Sequence, residues 1–209
     1  MKSALRFIGD NDRILANVGG EHSELTFLLW ARIDGLPRAN TALLLVEQPN
    51  RWSVHGTLSA DDLAAANARR AATPIKDVRW VINHFGAPSL NVGFTGNLTR
   101  PLDWDEYPVG SPVVDENQWG RWGCFAVTYD TRRQQVTHYC DGQPVSVSRI
   151  RRPVALPVDF VEFGNLSTYE SEQDLGVNFR YYGAMDEILI SKRAFSAAEI
   201  LEIYQSGKP

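Results

Sequence analysis

Paired carboxylates are the first chemistry to test. Glu170, Glu172 and Asp174 recur at intervals of two in Glu-Ser-Glu-Gln-Asp. On a strand, that interval puts side chains on one face. A retaining glycosidase needs two carboxyls about 5–5.5 Å apart, one protonated and one ionised. The flanks, residues 165–169 and 175–178, carry no strand pattern that would hold such a distance. Their carboxyls are expected to face water and ionise together, which leaves no proton donor. The run therefore reads as a solvated acidic loop. Asp186 and Glu187 are adjacent, so a strand would point them to opposite faces. The histidines, at 22, 55, 84 and 138, lack the short ligand spacings of a zinc site. Cys124 and Cys140 cannot supply the four ligands of structural zinc. They read as two buried thiols, with a cross-strand disulfide as the alternative if a turn near Arg132 brings their strands together. The stretch Gly93-Phe-Thr-Gly96 is too short for a phosphate loop. No catalytic set emerges.

Recognition without catalysis is the other chemistry available. An aromatic ring can stack on a sugar face, and Trp52, Trp80, Trp104, Tyr107, Trp119 and Trp122 could each supply one. Aromatics also fill cores, burying about 150–250 Å² apiece. Trp104 and Tyr107 lie in the polar, proline-broken residues 97–110, read as a long ordered loop or a short irregular hairpin. They are the expected exposed pair and the candidate ligand-binding residues, against the alternative that the loop packs on a sheet. Net charge is -4 with a pI near 5.6, which argues against a nucleic-acid surface. The basic clusters, Arg69-Arg70, Arg132-Arg133 and residues 149–152, read as solvated faces. Asn97-Leu-Thr99 and Asn165-Leu-Ser167 are formal glycosylation acceptors, relevant only in a eukaryotic secretory setting.

The elements that must position these groups are mostly strands. The 209 residues, 44% hydrophobic, suit one sandwich domain spanning 1–209. The early residues form no signal-peptide pattern and no stretch reaches a transmembrane length; Met1-Lys-Ser reads as an expression start on an excised domain. Residues 124–129 alternate in character, 130–133 suit a turn, and 136–140 return as a strand closed by Asp141-Gly142. Further strands are expected over 4–8, 24–33, 41–47, 76–85, 90–95, 158–163 and 181–191, with weaker patterns at 13–18 and 145–151. Residues 59–72 break this pattern: alanine dominates, Ser59 precedes Asp62 by three, and Pro74 follows. A helix is expected there, with Asp61 and Arg69 exposed. Ser196-Ala-Ala-Glu199 is a capping box for a short final helix.

Several of these motifs share one resemblance. Trp119, then Ala126-Val-Thr-Tyr-Asp130, then Tyr139-Cys-Asp-Gly142 resembles the laminin-G-like, concanavalin A-like lectin/glucanase domains. So do the strand anchored by Trp30, the strand ending at Gly164, and Tyr181-Tyr-Gly-Ala-Met-Asp-Glu, followed by Phe195-Ser and Glu199. The resemblance implies an all-β, two-sheet antiparallel jelly-roll sandwich with one inserted helix near 59–71 and a short C-terminal helix. It makes Trp30 and Trp119 core anchors. It also makes the first and last strands neighbours, so that Asp10, Asp12 and Asp186 become candidate calcium ligands. Against that, Asp10 and Asp12 can simply cap a turn, and Asp186 can accept backbone N–H groups. The function implied is a noncatalytic recognition module for carbohydrate or another cell-surface polymer, part of a larger extracellular or envelope protein. A protein-interaction module and a glycoside hydrolase are the alternatives. A glycan or protein partner is expected, and no nucleic acid.

Overall fold

The computed structural model describes residues 4–9, 12–35, 41–46, 72–83, 85–97, 100–164 and 181–207, together with Asp61, Ala64, Ala65 and Ala68. Two six-stranded antiparallel sheets carry the fold. The first runs β1 (Leu5–Phe7), β14 (Gly183–Ser191), β4 (Glu24–Ile33), β9 (Trp122–Asp130), β10 (Gln135–Cys140) and β11 (Gln143–Arg149). The second runs β2 (Arg13–Asn17), β13 (Phe160–Gly164), β5 (Thr41–Val46), β6 (Ile75–Ile82), β7 (Pro88–Asn97) and β8 (Arg100–Pro108). A short ladder pairs β3 (Glu21–His22) with β12 (Leu156–Pro157). This is the jelly-roll-like sandwich expected, with the first and last strands paired.

β4 explains why its sequence is apolar almost throughout. Leu25, Phe27, Leu29, Ala31 and Ile33 face the sandwich interior, where they meet Val78, Trp80, Leu90 and Phe163 of the second sheet. Leu28 and Trp30 face the other way, so a strand buried on both sides loses the usual polar alternation. Their cover is α1 (Ala197–Gly207), which buries Ile200 fully and stacks Tyr204 on Trp30 at 5.4 Å and 17°. The capping box starts this helix as expected: Ser196 N–H donates to Glu199 Oε2 at 2.8 Å, and Glu199 N–H donates to Ser196 Oγ at 3.3 Å.

The central hairpin also matches. Tyr129 faces Val136 and Ala126 faces Tyr139 across β9 and β10. Asp130 Oδ1 holds the turn by accepting from the N–H groups of Arg132 and Arg133, both at 2.9 Å. In the inserted stretch, Asp61, Ala64, Ala65, Ala68 and Ala72 are helical and exposed. Ser59, Arg69 and the rest of that stretch lie outside the described residues.

Two expectations need correction. Residues 100–108 are strand β8, which forms a hairpin with β7, so of the two readings of 97–110 the long loop falls. Trp119 is 40% exposed rather than a core anchor, because it ends the 3-10 turn Glu116–Gln118 before β9 begins. The cysteines are free. Cys140 pairs with Phe125, so Cys124 points to the helix-covered face while Cys140 packs against the interior, and a bridge would have to pass through the sheet. No helix among the described residues is long and apolar enough to cross a membrane.

Candidate functional site

The residues singled out from sequence do not converge. Trp104 and Tyr107 are three apart on β8, so period two sends them to opposite faces. Tyr107 is buried to 2% exposure in the core. Trp104 lies half-buried on the outer face with the Arg79 guanidinium 4.8 Å from its ring. Asp10, Glu170, Glu172 and Asp174 lie outside the described residues. Asp12 Oδ2 accepts the N–H groups of Ile8 at 2.8 Å and Gly9 at 2.7 Å, and these bonds hold its carboxyl below the usual range. Asp186 accepts the N–H of Glu187 at 2.9 Å, where β14 bulges and Glu187 takes a φ of 48°. β1 pairs Leu5 with Met185 and Phe7 with Gly183. The Gly9 turn therefore leaves that pairing at the Gly183 end, while Asp186 lies past the other. Among the described residues no group of three or more histidine, cysteine or acidic side chains clusters as a metal set would.

Polar side chains inside the sandwich serve its closure. Arg152 grips Asp105 through two bonds, of 3.0 and 2.7 Å, and reaches Asp103 at 2.8 Å. Its guanidinium lies 3.6 Å from the Phe94 ring centre. Arg152 holds the Asp105 carboxyl below its ordinary range. Tyr107 donates to Asp105 at 3.3 Å, and burial, with Asp105 beside it, pushes its phenol to about 12. Asp105, held ionised by this clamp, is not placed to serve as the proton donor of a glycosidase. His138, on the inward face of β10, reaches the Tyr107 carbonyl at 2.9 Å and ties the two sheets together at this edge.

A different set of groups gathers at one end of the sandwich. β4 finishes there at Ile33, β9 begins at Trp122, β14 begins at Gly183, and the β6–β7 turn passes between Ile82 and Pro88. Backbone bonds bind the connections: Gly120 N–H to Ile33 O at 2.8 Å, Asp34 N–H to Tyr182 O at 2.9 Å, and Val113 N–H to Gly86 O at 2.9 Å. Two glycines are required for this closeness. A Cβ at Gly86 would come 1.8 Å from Val114 O, and one at Gly183 would come 1.8 Å from Arg32 O. Among the described residues seven large hydrophobic side chains are exposed, and four of them, Ile8, Phe85, Trp119 and Tyr182, stand at this end. Beside them Arg32 is held by Asp34 through bonds of 2.9 and 3.1 Å, with its guanidinium 6.0 Å from the Trp122 ring.

A cleft of about 190 Å³ opens at the same end. Ala31, Ile33, Val113, Val114 and Phe125 give it apolar walls; Gln118, Arg121 and Asp141 give it polar ones. Gln118 and Asp141 already accept backbone N–H groups, from Asp115 at 2.8 Å and Cys124 at 2.9 Å. The cleft is smaller than the roughly 300–1,000 Å³ of pockets that enclose a whole small molecule. It suits one ring or one side chain of something larger that rests on the exposed aromatics. Sequence reasoning missed this set, apart from naming Trp119 and Trp122 among the aromatics.

No protein-family model and no curated protein sequence matches the chain. Solved structures do. A provisionally assigned carbohydrate-binding protein from Bacteroides ovatus aligns with a TM-score of 0.61 at 17% identity, over 95% of this chain and 46% of that one. The binding domain of botulinum neurotoxin serotype G aligns with a TM-score of 0.60 at 10% identity, over 95% and 41%. The serotype D ligand binding domain in complex with N-acetylneuraminic acid aligns with a TM-score of 0.54 at 12% identity, over 98% and 46%. The chain thus spans less than half the length of each. At such identities the likeness establishes the jelly-roll sandwich and nothing narrower.

Proposed function

We propose that this chain is a noncatalytic recognition module, laminin-G-like in character, whose aromatic end takes a carbohydrate or another cell-surface polymer. The observation that carries this reading is the gathering of Phe85, Trp119 and Tyr182, exposed, beside a small cleft. Rings exposed to water are normally buried somewhere, and sugar faces are among the surfaces that fit them. Supporting it, the structural neighbours include a protein provisionally assigned to carbohydrate binding and a domain bound to N-acetylneuraminic acid. A place within a longer extracellular or envelope protein follows from the same support.

A glycan array tests the proposal, with Trp119→Ala and Tyr182→Ala run beside the parent chain. Loss of a stacking ring should weaken glycan binding by about tenfold or more, with little change in melting midpoint. Undiminished binding in both variants would move the site elsewhere. The noncatalytic half is tested on β-glucans, galactans and chitin, where no new reducing ends are expected. Turnover abolished by Glu170→Gln or Glu172→Gln would overturn it. A second reading, a protein partner, draws on Ile8, an aliphatic side chain 72% exposed at the same end. Sugars gain little from such a group, so glycan binding untouched by Ile8→Asp favours the first reading.

A further inference from the structure

The two ends of the first sheet differ in kind. Eight residue steps along β9 take the chain from Trp122 to Asp130, which at 3.3 Å per step is about 26 Å. At the Asp130 end, arginines far apart in sequence meet. Antiparallel pairing sets Arg149 against Gln135, and Ile150 N–H donates to Gln134 O at 2.8 Å. Arg149 Nη2 approaches Gln134 Oε1 at 3.4 Å, at a turn where Gln134 holds a φ of 52°. A shallow groove of about 500 Å³ results, lined by Arg133, Gln134, Gln135, Val147, Ser148 and Arg149. The side chains of Arg132 and Arg133 are 84% and 68% exposed.

Among the described residues few carboxylates answer them. Glu24 meets Arg132 at 3.2 Å, and Asp130 lies 3.7 Å from Arg133 Nε. The Asp130 side chain is only 10% exposed and already accepts two backbone N–H groups. Arg151 is exposed and acts on Asp105, and Arg152 is turned away onto Asp103 and Asp105. Among the described residues Arg132, Arg133 and Arg149 thus face two acids, in a chain whose net charge is -4. Guanidinium forks match carboxylate and sulfate geometry, and the side-chain amides of Gln134 and Gln135 between Arg133 and Arg149 match sugar hydroxyls.

We propose that this groove binds a linear anionic polysaccharide, with Arg133 and Arg149 on its sulfate or carboxylate groups and Gln134 and Gln135 on its hydroxyls. No aromatic ring lines the groove, so stacked nucleic-acid bases are poorly served. Val147 is the one apolar side chain lining it, too little to anchor a lipid surface. The site stands apart from the aromatic end and does not depend on it.

The test is binding of the full chain to immobilised dextran sulfate, polygalacturonate and neutral dextran across a salt series. The expected result is binding to at least one anionic polymer and none to dextran, weakening steeply as salt shortens the screening length. Arg133→Gln with Arg149→Gln should weaken it by about tenfold or more at an unchanged melting midpoint. Trp119→Ala should leave it intact, which separates this groove from the aromatic end. Three results would overturn the proposal: no binding to either anionic polymer, equal binding by the arginine variant, or tighter binding to single-stranded DNA or to anionic vesicles.

Discussion

Acid should destabilise this fold well above the range where carboxylates titrate, through His138. The ring is 1% exposed between the sheets. Nε2 lies 2.9 Å from the Tyr107 carbonyl, so Nε2 carries the proton and donates it. Nδ1 faces the core without a partner. A second proton there would be an uncompensated buried charge, and burial pushes the pKa from 6.5 down to about 4. The unfolded chain takes that proton near pH 6.5, whereas the folded chain refuses it until about pH 4. Stability from this group is therefore whole above pH 6.5 and falls as the pH drops, levelling below about 4. At 1.36 kcal/mol per pH unit that interval corresponds to about 3 kcal/mol, a large part of a typical 5–15 kcal/mol.

Urea unfolding followed by tryptophan fluorescence at pH 7.5, 6.5, 5.5 and 4.5 measures the loss. His138→Gln is the comparison, because an amide can still donate to Tyr107 O and does not titrate. Burial also lowers the His22 pKa, so His22 acts in the same direction, but it is present in both proteins and cancels in the difference. Asp12, Asp105 and Glu199 are held low by their partners, so their contribution goes at more acid pH. The expected outcome is a parent curve that drops by about 2.5 kcal/mol more than the variant's over this range. Parallel curves would falsify the assignment of His138 as a neutral buried group.

The remaining predictions concern what each face of the sandwich holds. Ile200→Ala should cost about 2–4 kcal/mol, because Ile200 is fully buried where α1 covers Leu28, Trp30 and Tyr139; a lower urea midpoint at constant slope reads it. Arg152→Ala should cost about 2–4 kcal/mol at neutral pH, since Asp105, with 4% of its side chain exposed, loses its cation. Adding Asp105→Asn should restore part of that, and a double-mutant cycle measures the coupling. Burial pushes both thiols to about 12, so Cys124 and Cys140 should react slowly with a disulfide reagent until the chain unfolds, when both should titrate. Calcium held through Asp12 and Asp186 would raise the melting midpoint in millimolar calcium over chelator, and Asp186→Ala would remove the rise. An unchanged midpoint assigns Asp12 to its turn alone.

The strands were legible because burial imposes a period. Residues 24–33, 41–46 and 125–130 carry the apolar runs of strands covered on one or both faces, and all are strands. The helix ends were legible for a local reason: Ser196 and Glu199 satisfy each other's backbone groups within one turn. β8 shows where reading by composition failed. Residues 103–107, Asp-Trp-Asp-Glu-Tyr, are polar enough to suggest a loop, yet the inward Asp105 is neutralised by Arg152, 47 positions away. A strand can bury an aspartate when a distant guanidinium meets it, and no local pattern announces that partner.

Period two, applied strictly, would have parted Trp104 from Tyr107 and removed them as a pair. It would not have found the aromatic end or the arginine groove. Ile8, Phe85, Trp119 and Tyr182 come from four separate connections, and what unites them is that β1, β6, β9 and β14 each have a terminus on one side. Arg133 and Arg149 meet only because β11 pairs with β10 in a register that sets Arg149 beside Gln135, next to the turn that carries Arg133; a slip of one residue would turn Arg149 to the other face relative to Gln135. Core positions answer to the spacing along one strand, whereas sites at the ends of a sandwich answer to the order of strands. That order is set by long-range pairing, so the fold class could be read from local pattern while the surfaces offered to a ligand could not.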